Sequence, residues 1–489
     1  MNSLKRFLLA ETALKSLFGV FLQLTTFEAC FMEQFDFIVI GSGSGMLVAS
    51  AAVDQGFKVA LVEHGKMGGT CINDGCVPSK MLIYPADVLA AIRDSEKLGV
   101  HATVDQVDFS NIMNRMHALV NEDSWHQATA VQATPGLMWL KKTGEFISDY
   151  TMQVGDLTIS AKIIFIVSGV RTAIPSVNGL ENIGYLTSDT VLELQSPPKS
   201  IIIIGGGYIG MEYGHFFSAI GTKTTIIQRP FRVLPDEEPE ISDLLKAEFG
   251  KRMEIYTGYE AVEARQQGDV KTLVARNRQD GSKKEFSAEA VMVATGRISN
   301  ADRLKPEKTG VKLDEQGFIK VDDYLETSKK NIFAFGDAIG NQMFKHVANY
   351  EAGLVWHNAT HDHKVKVDFS AAPHAVFTRP QVASVGLKEE EAKQHHKILV
   401  GNAPYKDTAM GAALGFPEGF VKVIVEQETG KILGAHIIGP EASVLIQEIT
   451  NAMVTEKGDF GPIARGMHIH PALNEVVQNA FGNLHEHEH

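Results

Sequence analysis

Two stretches of the chain share one alternation of apolar runs and small-residue turns. Phe37 to Ile40 is an unbroken apolar run that feeds Gly41-Ser42-Gly43-Ser44-Gly45-Met46. Small residues in helical register continue to about Gln55, and a second run from Lys58 to Val62 stops at Glu63. This predicts strand, glycine turn, helix, strand and acid. In that order, backbone N–H groups can approach a pyrophosphate at the helix N-terminus while the acid accepts from a ribose. Met46 stands where a third small residue is usual, so looser packing of helix on strand is expected there. The pattern returns later. Ile201 to Ile204 feeds Gly205-Gly206-Gly207-Tyr208-Ile209-Gly210, followed by a helix to Ala219 and a strand from Thr224 to Ile227. Two complete units imply two dinucleotides.

The second unit departs from the first where its acid would stand, because its strand runs into Gln228-Arg229. A carboxylate there binds a 2′-hydroxyl and repels a 2′-phosphate, whereas arginine pairs with the phosphate. One such contact, about 1.5–3 kcal/mol, gives roughly ten- to 150-fold preference. Arg229, with Arg232 adding to it, therefore favours NADPH over NADH; a solvated loop arginine is the alternative. Ala290 to Thr295 reads as a strand ending in Gly296-Arg297, and Asn331 to Phe335 as one ending in Gly336-Asp337, where an aspartate can hold a polyol hydroxyl. From about Val367 the pattern becomes that of a separate α+β domain, in which Lys388 to Lys393 reads as an acid-rich, solvated helix start. The expected fold class is α/β, with two Rossmann-like dinucleotide-binding domains and a C-terminal α+β domain. The expected division is a leader, 1–31; one nucleotide domain begun at 32–170; a second at 171–300; a return to the first at 301–366; and the C-terminal domain at 367–489.

Composition narrows the partners. With 59 acidic against 46 basic side chains the formal net charge is −13, which disfavours nucleic acid. No run of about eighteen apolar residues marks a membrane span. In the leader, Lys5 and Arg6 precede apolar residues as in a signal peptide, but Glu11, Lys15 and Gln23 interrupt them, and a cytoplasmic location is expected. His357, His361 and His363 run from a helical pattern into a polar loop, so no metal site is expected, and His485 to His489 reads as solvated tail.

Chemistry concentrates in Gly68-Gly69-Thr70-Cys71-Ile72-Asn73-Asp74-Gly75-Cys76-Val77-Pro78-Ser79-Lys80, which holds two of the chain's 3 cysteines. So few cysteines do not staple a fold, and a close pair points to redox chemistry. In a regular helix, residues five apart have Cα atoms roughly 8.7 Å apart, beyond the disulfide reach of about 7 Å. A bridge needs a distorted turn, which Gly75 and Pro78 permit. Half of a zinc site, the other reading, lacks a second cysteine pair. Near the C-terminus, Glu475 follows His470-Pro471 and can orient one imidazole nitrogen, leaving the other to exchange protons with a thiol.

Together these segments resemble the class I pyridine nucleotide–disulfide oxidoreductases, through GGTCINDGCVPSK, GGGYIGME, VATGR, NIFAFGD and HIHPALNE. The likeness runs from Phe37 to about Leu484. It implies FAD contacts at Gly41, Gly43, Glu63, Gly69, Thr70 and Asp337, a loop beside the adenine at Gly144 and Glu145, and a departure from the usual triplet at Ser168 and Gly169. It implies NAD(P) contacts at Gly205, Gly207, Tyr208, Gly210, Gln228, Arg229, Arg232, Gly296 and Arg297, with Tyr208 as a lid over the nicotinamide pocket. Lys80 would lie near the flavin, paired with Glu212. Cys71 would meet substrate, Cys76 would face the flavin, and His470 with Glu475 would serve the other subunit of a homodimer. The implied relay passes electrons from nicotinamide through FAD and the Cys71–Cys76 disulfide to a small disulfide. The local runs PSKMLIYPADV, TSDTVLEL and FKHVANYEAG look most like the mycothione reductase branch. Dihydrolipoamide dehydrogenase, running the relay toward NAD, is the runner-up. The mercuric reductase branch is disfavoured because neither a C-terminal cysteine pair nor a cysteine-containing domain before Met32 is present.

Overall fold

The computed structural model describes residues 32–486, so the expectations for the leader and for 487–489 lie outside the described residues. Strands Met32–Ile40 and Val59–Val62 pair in parallel, with Ile40 opposite Val62. The Val59–Val62 strand is buried along its whole length, as parallel strands covered on both faces are. Leu137–Leu140 flanks it on one side, Leu157–Ile166 pairs with Met32–Ile40 on the other, and Ile332–Ala334 joins Leu157–Ile166 from far along the chain. This register sets Gly41, Glu63, Val167 and Phe335 at one carboxyl edge, where the strand order reverses and ligands bind in such sheets. Gly41 has φ +107°, and a Cβ there would meet the Val167 carbonyl oxygen at 2.2 Å, so only glycine fits.

The second unit repeats the order with Glu254–Thr257, Lys223–Gln228, Ser200–Ile204 and Ala290–Val293. Here Gly210, in the first turn of helix Tyr208–Ala219, packs against the glycine turn, where a Cβ would lie 2.0 Å from the Gly205 carbonyl oxygen. Met46 occupies the matching place in the first unit. Gly45 makes the close approach instead, its would-be Cβ 2.9 Å from Val39, and Met46 packs partly buried on the core.

The C-terminal domain is an antiparallel sheet from Pro373–Val376 to His485–Glu486, backed by helices Ala442–Met453 and Glu475–Gly482. His485 and Glu486 are exposed, but they pair with Val400 and Leu399 rather than trailing as tail. In Lys388 to Lys393, Glu390 and Glu391 are exposed as expected and Glu389 departs from expectation. Glu389 in helix Glu389–Lys393 is buried, and it accepts from the buried Lys422 at 2.7 Å together with Glu238 and Glu240 of the second unit. Burial opposes its charge, yet Lys393 and Lys422 pull its pKa down to about 2. That cluster locks the C-terminal sheet to the second nucleotide domain.

Helix Cys76–Asp94 runs through the centre, packed between Phe109–Ala133 and Tyr208–Ala219. The helical stretch Gly69–Leu98 is long and apolar enough to cross a membrane. Its polar groups have partners within the fold, however: Lys80 pairs with Glu212 and Asp87 with His215, both on Tyr208–Ala219. Leu82 and Ala86 lie in the core with Met211, Phe216 and Phe217, so one face of this helix packs inside the fold, while Tyr84 and Val88 on another are exposed.

Candidate functional site

The cysteine run folds as a short helix, Gly69–Asn73, and a second helix that begins at Cys76. Between them Gly75 sits close to Thr70, whose carbonyl oxygen would lie 2.9 Å from any Cβ. The break at Asp74-Gly75 brings the two free thiols close enough to shift each other's ionisation. Asn73 braces the turn by donating to the carbonyls of Met67 and Gly69, both at 3.0 Å. The neighbouring Cys71 lowers Cys76 to about 7, against burial and with help from Lys80; Cys76 and burial push Cys71 up. The two thiols are thus shifted in opposite directions, Cys76 down and Cys71 up.

Both thiols open into one cavity of about 2890 Å³ that also reaches both glycine turns. A single ligand site is usually about 300–1,000 Å³, so this volume has room for more than one. At the first turn Gly41, Gly43, Gly69, Thr70, Ser168, Gly169 and Asp337 line it. Glu63 lines it as well, accepting from Ser42 N at 3.0 Å, Ser42 Oγ at 2.9 Å and Gly65 N at 2.7 Å. The Ser168 hydroxyl is buried with no partner, and burial raises the Asp337 carboxyl. An orphaned donor and a buried acid at the carboxyl edge fit a polar ligand such as the FAD of the predicted site. Gly144 and Glu145 do not line the cavity. They belong to strand Gly144–Ser148, with Gly144 wedged against Met152 and Val154 and Glu145 ion-paired to Lys305.

Around the second turn the lining includes Gly205, Gly207, Tyr208, Gln228, Arg229, Gly296 and Arg297. Gly210 does not line the cavity; it lies buried in the helix, closing on Gly205. Gln228 is buried and accepts from Gly206 N at 2.7 Å, as Glu63 accepts from Ser42 N. Arg229 stands exposed, 3.5 Å from Glu260. Arg232 does not line the cavity; it pairs with Asp243 at 3.2 Å. Tyr208 opens its helix, its ring near those of His374 (5.6 Å) and Phe344 (6.0 Å), and burial and Glu237 raise its phenol. Lys80 joins the two halves through Glu212 Oε2 at 2.9 Å, and Phe377 N also donates to that carboxylate.

His470 and Glu475 form their pair, Nδ1 to Oε1 at 2.7 Å, and Ala472 N holds the other oxygen at 3.0 Å. Neither lines the cavity of its own chain. His470 is 74 % exposed, and Met467 and Ile469 beside it are bare apolar side chains at 101 % and 76 %. This face is open to a second chain.

Some lining residues carried no sequence signal. Lys345 stands at the start of helix Lys345–Thr360, Arg278 comes from a hairpin of the second domain, and His374 comes from the C-terminal sheet, where Glu237 Oε1 holds it at 2.7 Å. Each reaches the cavity through topology. Only FKHVANYEAG, around Lys345, stood out as a run.

Comparisons with known proteins agree with this geometry. Residues 35–400 match the family model "Pyridine nucleotide-disulphide oxidoreductase" and 372–481 its dimerisation domain. The chain is 35% identical to mycothione reductase of Mycobacterium tuberculosis (93% of this chain, 100% of the relative). It is 34% identical to mercuric reductase of Bacillus cereus (86% and 67%) and 34% to dihydrolipoyl dehydrogenase of Geobacillus stearothermophilus (91% and 94%). Among solved structures, the HOCl-induced flavoprotein disulfide reductase RclA of Escherichia coli superposes with a TM-score of 0.81 at 25% identity (91% and 99%).

Proposed function

The chain belongs to the pyridine nucleotide-disulphide oxidoreductases, FAD-dependent enzymes that use NAD(P)H, and on that premise we propose that it reduces a low-molecular-weight disulfide through Cys71 and Cys76. The observation that carries this is the pair of contacting thiols in a cavity shared with both glycine turns. FAD, when bound, supplies two-electron transfer between the nicotinamide and the cysteine pair. Lys80, fixed by Glu212, supplies positive charge beside Cys76. Cys71 must lose its raised proton to attack, which requires a base. His470 of the partner subunit, oriented by Glu475, takes that role in a dimer with composite sites. The Cys71 thiolate attacks one substrate sulfur, the S–S bond breaks, and the departing thiolate takes a proton from the imidazolium. The Cys76 thiolate then attacks Cys71, re-forms the disulfide and expels the second thiolate, which takes its proton from solvent. The pair is oxidised by two electrons and the substrate disulfide is reduced to two thiols.

Arg229 favours NADPH, since it opens on the cavity where the acid of the first unit has no counterpart. The similarity to mycothione reductase over 93% of the chain favours a mycothiol-like disulfide, and a reducing compartment such as the cytoplasm suits the free-thiol form. The near-full-length similarity to dihydrolipoyl dehydrogenase supports a second reading, oxidation of dihydrolipoamide with NAD. A screen of mycothiol, glutathione, coenzyme A and lipoamide disulfides with both nicotinamides separates them. The proposal expects the highest kcat/KM with NADPH and a small disulfide. Brisk NAD-dependent oxidation of dihydrolipoamide, with NADH preferred to NADPH, defeats it.

A further inference from the structure

Lys345 is placed against its own interest. It opens a 16-residue helix, where the backbone dipole is positive, and burial lowers its pKa. Among the described residues no carboxylate lies within ion-pair distance of it. Its Nζ donates to Ser44 Oγ at 2.9 Å, and Ser44 Oγ donates to Asn349 Oδ1 at 2.9 Å. The same turn holds the cysteine run. Gly68 N donates to Ser42 Oγ at 3.1 Å, and Gly69 lies so close that a Cβ would sit 2.7 Å from Gly43 Cα. One rigid tripeptide, Ser42-Gly43-Ser44, thus holds both the start of the Cys71 helix and the Lys345 ammonium, and all open on one cavity.

We propose that Lys345 is the cation that stabilises the Cys71 thiolate, as Lys80 does for Cys76. This rests on the disulfide-reductase reading and adds a residue to it. The charged and titratable groups around the pair divide accordingly. Cys71 faces Cys76 and Lys345; Cys76 faces Cys71, Lys80 and Glu212; and Lys345 faces both thiols and Asp337. Asp74, between the cysteines in sequence, turns instead toward Asp189, Glu193 and Lys66. A positive charge that reaches Cys71 prepares the nucleophile on the substrate side, while Cys76 has Lys80 as a second cation.

The test isolates Cys71. In the flavin-loaded Cys76→Ser enzyme, alkylation of Cys71 by iodoacetamide is followed against pH, with the labelled peptide read by mass spectrometry to set Cys30 aside. The thiolate displaces iodide, so the rate tracks ionisation. Lys345→Gln, which keeps a donor for Ser44 but no charge, is expected to raise the apparent pKa by about one unit and slow labelling about tenfold at fixed pH below it. Lys345→Arg is expected to restore both. An unchanged profile in Lys345→Gln, or a loss that Lys345→Arg fails to restore, overturns the proposal, since a merely structural lysine would not move the thiol. If the Cys76→Ser background loses its flavin, a Cys76→Ala background carries the same comparison, with the same expectation for Cys71. The underlying reading is checked separately: NADPH must release two thiols in the parent enzyme whatever Lys345 does.

Discussion

Cys76 takes the charge of the reduced pair because Cys71 donates to it and Lys80 lies nearby. Its pKa falls from 9.0 to about 7, while Cys71 rises from the same 9.0. For Cys76 the folded state binds its proton less tightly than the unfolded chain. Its stabilising contribution is full above pH 9.0 and is lost as pH falls through about 7. Cys71 has the opposite sign, contributing below 9.0 and losing its contribution as pH rises further. From this pair alone, urea unfolding of the reduced protein is predicted to show stability rising from about pH 7 to a maximum near 9.0, a rise that Cys76→Ser removes. A flat wild-type profile over that range would contradict the assignment. His470→Ala and Glu475→Gln are predicted to cut disulfide reduction by about 10²–10⁴ while flavin reduction by NADPH keeps its rate, as stopped-flow absorbance would show. These residues were legible because each sits in a short run whose chemistry is local: two sulfurs and a glycine, or an imidazole and an acid. Lys345 and His374 were not, because a lone cation or imidazole gains meaning only from elements far away in sequence.

At the scale of elements, strands and glycine turns were readable because apolar runs and a required positive φ leave few other solutions. Gly41 and Gly205 show this, each closing on a carbonyl of a strand paired much later in the chain. The acidic segment at Lys388 to Lys393 was misread for the converse reason. Charge patterning along one helix says nothing of Lys422, which arrives from strand Phe420–Glu426 and turns a surface carboxylate into a buried partner. Removing Lys422 takes from Glu238 and Glu240 the cation they share and leaves Glu389 with Lys393 alone. Lys422→Met is therefore predicted to destabilise the protein by about 3–5 kcal/mol in denaturant unfolding. A loss near zero would mean that the cluster relaxes into solvent.

For the whole molecule, the duplicated nucleotide unit was legible from a repeated pattern and the C-terminal sheet from a change of pattern near Val367. His470 stands exposed outside the cavity that holds Cys71, so the proposed proton relay requires a second chain. Hybrid dimers pairing a Cys71→Ser chain with a His470→Ala chain are predicted to regain about half of wild-type activity per dimer, because one of the two composite sites is then intact. Hybrids as inactive as either parent would show that each chain works alone.

The most direct test is an anaerobic titration of the purified enzyme with NADPH, with free thiols counted before and after. The electron route described here predicts uptake of a second electron pair beyond that held by the flavin, and two new thiols assigned to Cys71 and Cys76. Uptake that stops at the flavin, with the thiol count unchanged, would contradict it.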